Sequence, residues 1–182
     1  MTNLARKHFR EVRPDVRYNS AIVQKLINYV MKNGEKATAE SIVYESIPLF
    51  FASLSSEIIA NTSPIDALKK AIDNVSPGIE VVSKRVRGST YQVPVDISVD
   101  RSRIIALQLI IKGTRNNRTM SSDIIKNKAD ARKLNLKTSV SLARELIDAF
   151  NNRGFAFKKM MEIRATASSN RAFAHLARGG KS

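Results

Sequence analysis

Between Ser76 and Val99 the spacing of apolar residues changes from that of a helix to that of a strand, and no other stretch reads convincingly as a strand. Tyr91, Val93, Val95, Ile97 and Val99 alternate with Gln92, Pro94, Asp96 and Ser98, while Val82 and Val86 share one face of the stretch before them. Two short strands joined at Arg87-Gly88-Ser89 follow, forming a ribbon over about residues 79–99. Both strands of a two-stranded ribbon are edges, so Pro94, which has no amide to donate, is tolerated. A lone ribbon is marginally stable. The core must therefore be helical, with the apolar base of the ribbon leaning on it.

The rest of the chain supplies the helices. Ser20 can cap a first one over 19–33, where Ile22, Val23, Leu26, Ile27, Val30 and Met31 share a face and Asn33-Gly34 ends the run. A second starts near Lys36 with Ala39, Ile42, Val43 and Ile47 inward, and Pro48 is expected to kink or break it. Ser63-Pro64-Ile65-Asp66 is the start signal of a third, comprising a cap, a first-turn proline and a capping-box carboxylate. A fourth from Asp100 is apolar nearly all round and is expected to be central. Residues 113–137 are polar, basic and poorly periodic, and read as an extended loop or as helix extensions flanking one. Thr138 or Ser139 can cap a fifth helix with Val140, Leu142, Ala143, Leu146, Ile147 and Phe150 inside, and a sixth spans about 155–175. The fold class is mainly α: a six-helix bundle with one protruding two-stranded β-ribbon. The domain plan is a basic extension over 1–18, one helical domain over 19–178 carrying a basic insertion at about 113–137, and a loose end over 179–182.

Charge says what such a body is for. Lys and Arg number 31 against 16 Asp and Glu, a net of +15. Residues 18–111 carry only +1, whereas 1–17 carry +3, and 112–137 and 153–182 carry +6 each. A neutral centre with cationic extremities points to a polyanion. A membrane surface would instead call for an apolar helix face with aromatic anchors opposite the bases, and no apolar run reaches the ~20 residues of a spanning helix. The basic start reads as a binding tail in preference to a very short mitochondrial transit peptide. There is no cysteine, which excludes disulfides, and the two histidines sit in basic end segments. No phosphate-cradling glycine loop, metal motif or paired nucleophile and base is present, so neither an enzyme nor a cofactor is expected. On the ribbon, Lys84, Arg85 and Arg87 are placed to meet phosphates, and Tyr91 and Gln92 to touch bases or sugars. A DNA-packaging protein with a bending arm is the rival to an RNA binder.

Three collinear stretches carry a resemblance: NGEKATAESIVY at 33–44, NVSPGIEVVSKRVRGSTYQVPVDI at 74–97 and SSNRAFAHLAR at 168–178. Together they resemble the small-subunit ribosomal protein S-seven family, from Arg6 to about Arg178. The resemblance implies a helical bundle with a protruding ribbon that binds ribosomal RNA, organises the head of the small subunit, and lies near the exit-site tRNA and the mRNA exit path. It implies RNA contact at Lys84, Arg85, Arg87, Tyr91 and Gln92; at Arg6, Lys7, Arg10, Arg13 and Arg17; at Lys32 and Lys36; and at Lys158, Lys159, Arg164 and Arg171. Arg101, Arg103, Lys112 and Arg115 complete the set. The expected partners are small-subunit ribosomal RNA, neighbouring ribosomal proteins and, transiently, tRNA and mRNA, with no membrane.

Three features depart from the family pattern: Pro48, the ending RGGKS, and residues 116–136, which lengthen a usually short connection. The basic insertion is expected to reach extra RNA or a neighbouring protein. Abundant Ile, Asn and Lys suggests an A/T-rich genome, that of an organelle or a reduced bacterium, and with the insertion the expected compartment is the mitochondrial matrix.

Overall fold

A computed structural model of the protein describes residues 12–86, 88–119 and 131–177. Among these, helices dominate and one antiparallel hairpin is present. The helices are α1 (Ala21–Val30), α2 (Lys36–Ala52), α3 (Ser56–Asn61), α4 (Pro64–Val75), α5 (Val99–Thr119), α6 (Ala131–Phe150) and α7 (Gly154–Ser169). The ribbon strands are β1 (Ile79–Val86) and β2 (Ser89–Asp96), and a 3-10 helix, Arg171–Ala177, follows α7. The mainly α class with a β-ribbon is as expected; the described residues hold one more α-helix than the six foreseen.

Helices α5 and α6 lie side by side in the middle, α5 touching α1, α4 and α7, and α6 touching α2, α4 and α7. Their buried stripes, Ile105, Leu107, Ile110 and Ile111 on α5 and Leu142, Leu146 and Phe150 on α6, form one core with Leu26, Ile27, Ile47, Phe50, Leu68 and Ile72. Phe50 and Phe150 meet edge to face, ring centroids 6.2 Å apart. Centrality is thus shared, because α6 reaches α2 as well as α4 and α5. Val140, expected inside, is instead 40% exposed.

Helix α4 begins as its sequence demands. The Ser63 hydroxyl accepts the Asp66 amide at 3.1 Å and donates to the Asp66 carboxylate at 2.7 Å, with Pro64 in the first turn. Ser20 precedes α1 in extended conformation but makes no side-chain cap. That helix ends at Val30, and the chain turns through Asn33 and Gly34, both at positive φ (54° and 81°).

Pro48 does not break α2, which runs through it to Ala52. Ile47 and Phe50, fully buried on either side, anchor the segment in the core. Burying such side chains stabilises by about 1.5–3 kcal/mol each, enough to offset the ~3 kcal/mol a proline costs a helix interior. Helix α3 went unforeseen because none of its residues is buried, so it leaves no apolar stripe to detect.

The reading of 113–137 as helix extensions is the one the structure supports: α5 continues to Thr119 and α6 begins at Ala131. Thr138 and Ser139 therefore lie inside α6 and cap nothing at its start. Ser139 is fully buried and its hydroxyl donates to the Glu45 carboxylate at 3.1 Å. The sixth expected helix stops at Ser169, short of 175. Thr166, Ser169 and Asn170 turn their side chains onto backbone carbonyls of the last turn, competing with the helical ladder, and the chain tightens into the 3-10 helix.

The ribbon is held at both ends. Ile97 donates its amide to the Gly78 carbonyl at 3.2 Å, and Ser102 on α5 bonds the Pro77 carbonyl at 2.5 Å, fixing the base. Val86 pairs with Ser89, so Ser89 belongs to β2 and not to the turn, where Gly88 adopts φ 88°. Val93 is buried against the body, and β2 also packs on the 3-10 helix.

Candidate nucleic-acid interface

Cross-strand register decides which ribbon bases face out. Lys84 is opposite Tyr91, and Val82 opposite Val93, so these four share one face, on which Val93 is buried and Lys84 and Tyr91 are half-buried while Val82 is 47% exposed. Lys84 Nζ donates to the Leu176 carbonyl at 2.7 Å, and the Tyr91 ring lies 5.2 Å from that of Phe173. Both residues thus tie the ribbon to the 3-10 helix. Arg85, opposite Thr90, lies on the other face and is exposed, as is Gln92, whose amide donates to Ser83 at 2.9 Å.

Three further arginines serve the body. Arg101 grips Glu80 with two bonds, at 3.1 and 2.8 Å, and joins α5 to β1. Arg103 does the same to Asp73, joining α5 to α4. The carboxylates raise both guanidinium pKa values further, first through these hydrogen bonds and then through charge attraction. Arg164 donates to the Ser76 carbonyl at 3.3 Å. Lys36 pairs with Glu40 at 3.3 Å and Lys159 with Glu162 at 2.6 Å; both are exposed helical pairs of small energetic weight.

What remains is a set of cations with no carboxylate partner among the described residues: Arg13, Arg17, Lys32, Arg85, Lys112, Arg115, Lys158 and Arg171. All are exposed. Lys32 and Arg115, far apart in sequence, come to one cleft of ≈ 180 Å³ between α1, α2, α5 and α6, walled by Val30, Ala39, Ile42, Ile111 and Leu142. Lys112 and Lys159 share a second cleft between the ribbon base, α5 and α7, together with Glu80 and Glu162. Arg6, Lys7, Arg10 and Arg87 lie outside the described residues, as do the start of the N-terminal extension, the centre of the insertion and the end of the chain.

The lead-in to α1 contains an arrangement that composition concealed. Asp15 is 2% exposed; its carboxylate accepts the amides of Arg17 and Tyr18, at 3.1 and 2.9 Å, and the Tyr44 hydroxyl at 2.5 Å. The hydrogen bond to Asp15, with burial and the carboxylate charge adding to it, pushes the Tyr44 pKa up to about 12. The guanidinium carbon of Arg17 lies 5.7 Å from the Tyr18 ring centroid and 5.3 Å from that of Tyr44. One signal was available: a single buried-type role for an acid, Asp15, in the basic run RPDVR.

No helix among the described residues is long and apolar enough to cross a membrane, and they contain no cluster of potential metal ligands. The profile of the family described as Ribosomal protein S7p/S5e matches residues 3–171. The chain belongs to this family. Curated relatives agree along nearly their whole length. "Small ribosomal subunit protein uS7" of Azorhizobium caulinodans is 39% identical over 167 residues, covering 91% of this chain and 92% of the relative. The protein of that name from Methylorubrum populi is 38% identical over 94% of this chain and 98% of its own length, and that of Desulfatibacillum aliphaticivorans 37% over 91% and 92%. Within this S7p/S5e chain the matched stretch holds α1 to α7, the ribbon and all the candidate cations, and it ends as the 3-10 helix begins.

Proposed function

We propose that this chain organises the head of the small ribosomal subunit by binding its ribosomal RNA, with the ribbon near the exit-site tRNA and the mRNA exit path. As a member of the S7p/S5e family it is a structural, RNA-binding constituent of the small subunit, not an enzyme. The observation that carries the finer reading is the sorting of its cations. Lys84, Arg101, Arg103 and Arg164 stitch elements together, while Arg13, Arg17, Lys32, Arg85, Lys112, Arg115, Lys158 and Arg171 stay exposed and without a carboxylate partner among the described residues. Helices α1 to α7 and the ribbon act as one scaffold that fixes the distances between these charges.

Binding makes and breaks no covalent bond. Each lysine or arginine that neutralises a phosphate releases counterions, which steepens the salt dependence by roughly 0.7–0.9 log units per log of salt. Selectivity comes from the spacing of phosphates in a folded junction and from 2′-hydroxyls, since the deep groove of an RNA helix cannot be read by side chains. Arg85 and Gln92, on the outward face of the ribbon, supply its RNA contact, together with Arg87, which follows β1 in the sequence. Lys84 and Tyr91 act indirectly, by holding the ribbon at its angle. The compartment follows the relatives no further than the ribosome: those named are bacterial, and they lend the mitochondrial expectation no support.

The test is a double substitution, Arg85→Ala with Arg87→Ala, in the full chain. Weaker binding to a folded transcript of the ribosomal RNA head domain is expected, with a shallower salt slope and an unchanged unfolding transition. Unaltered binding, or an equal loss of helical signal, would count against the reading.

A further inference from the structure

We propose that Asp15 and Tyr44 are positioning residues that hold Arg17 as a preset contact to an RNA phosphate. The inference rests on the RNA-binding reading above and assigns a role to two residues that carry no positive charge.

Four observations converge on it. Asp15 is an almost fully buried carboxylate in an otherwise exposed segment, since Arg13, Pro14, Val16 and Arg17 around it are all exposed. Its two oxygens divide their work: Oδ2 accepts the Arg17 and Tyr18 amides, closing the turn, and Oδ1 accepts the Tyr44 hydroxyl from α2. The turn is therefore bolted to the body at a point 29 residues away in sequence. The Tyr18 and Tyr44 rings, 6.1 Å apart and inclined by 57°, then form a two-sided seat, and the Arg17 guanidinium lies over both.

That seat has a chemical consequence. A solvent-exposed arginine samples many rotamers and loses that freedom when it binds. Arg17 has given up much of it already. A guanidinium that stacks on a ring does so with its face, whereas its N–H donors lie in the plane. The edge thus stays available for a paired, fork-like contact with two phosphate oxygens. A lysine at this position would carry the same charge but has neither plane nor fork.

The experiment uses the full chain and a folded transcript of the small-subunit ribosomal RNA head domain. Binding is measured across a salt series for wild type, Arg17→Ala, Arg17→Lys, Tyr44→Phe and the pair Arg17→Ala with Tyr44→Phe. Arg17→Ala should lower the salt slope by about 0.7–0.9. Arg17→Lys should restore the slope yet bind about two- to fivefold more weakly than wild type. Tyr44→Phe keeps a ring beneath Arg17 but severs the link to Asp15; it should weaken binding by a similar factor at an unchanged slope. In the Arg17→Ala background it should have no further effect. If wild type binds but Arg17→Lys binds equally well, the preset contact is overturned. Equal losses from Tyr44→Phe in both backgrounds would reduce Tyr44 to a structural role and overturn it too. Failure of wild type to bind this RNA would overturn the RNA-binding reading, and this one with it.

Discussion

Adjacent strand residues point to opposite faces, and Lys84 and Arg85 divide their duties accordingly: one caps the 3-10 helix, the other faces solvent. The same sorting runs through the described bases of the set, and hydrogen-bond geometry does it. Tyr44 allows a titration test at this scale. Its neutral form donates to Asp15, so folding raises its pKa from 10.0 to about 12. A group whose folded pKa is raised stabilises the fold fully below its unfolded pKa and loses that contribution as pH rises through the folded value. Stability contributed by this bond should hold to about pH 10 and fall between pH 10 and 12. Phenolate absorbance should show a late step near pH 12, and Tyr44→Phe should remove it. A late step that survives in Tyr44→Phe would contradict the assignment. The residue types of the candidate interface are a matter of sequence, since charge clustering needs no fold. Which bases are spent inside the protein is not, because the carbonyl that Lys84 meets lies 92 residues downstream and the carboxylate that Arg103 meets 30 residues upstream.

Among the elements, those with strong local signals were legible. Ser63 and Asp66 cap α4 through bonds contained within four residues, and the period-two run at 91–99 lies in β2 as far as Asp96, whereas Val99, expected in the ribbon, opens α5. Elements governed by packing were not. Short, unburied α3 has no stripe, and the first turns of α6 are basic and weakly periodic. The junction of α5, α6 and α7 shows packing overriding propensity in a form that can be measured. Glu145 on α6 is fully buried and its carboxylate accepts the Ala156 amide at 2.8 Å, serving the start of α7 from outside that helix. Gly113 on α5 makes room for it: a Cβ there would stand 2.6 Å from the carboxyl carbon. By propensity alone, Gly113→Ala should stabilise a helix by about 1 kcal/mol. Here overpacking should reverse the sign and destabilise by about 1–3 kcal/mol. Urea unfolding decides between them: a lower midpoint is expected, and a raised one would mean that the carboxylate moves aside freely.

At the scale of the molecule, a body of nearly balanced charge carries its positive excess in residues 1–17, 112–137 and 153–182, for a net of +15. Such a chain is attracted to any polyanion. Its claim to a specific partner depends on the rigidity of what lies between the charges. The ribbon is tied at its base through Gly78 and Pro77 and along its inner face through Lys84 and Tyr91; the lead-in is tied through Asp15. Cations fixed in this way favour a folded RNA whose phosphates match their spacing over a uniform duplex. The most direct measurement is competition at physiological salt. Full-length protein bound to a folded small-subunit ribosomal RNA head fragment is challenged with excess random duplex DNA, and separately with heparin. Retention of the ribosomal RNA against both is the expected result; ready displacement by either would contradict recognition of a folded RNA and leave only a non-specific polycation.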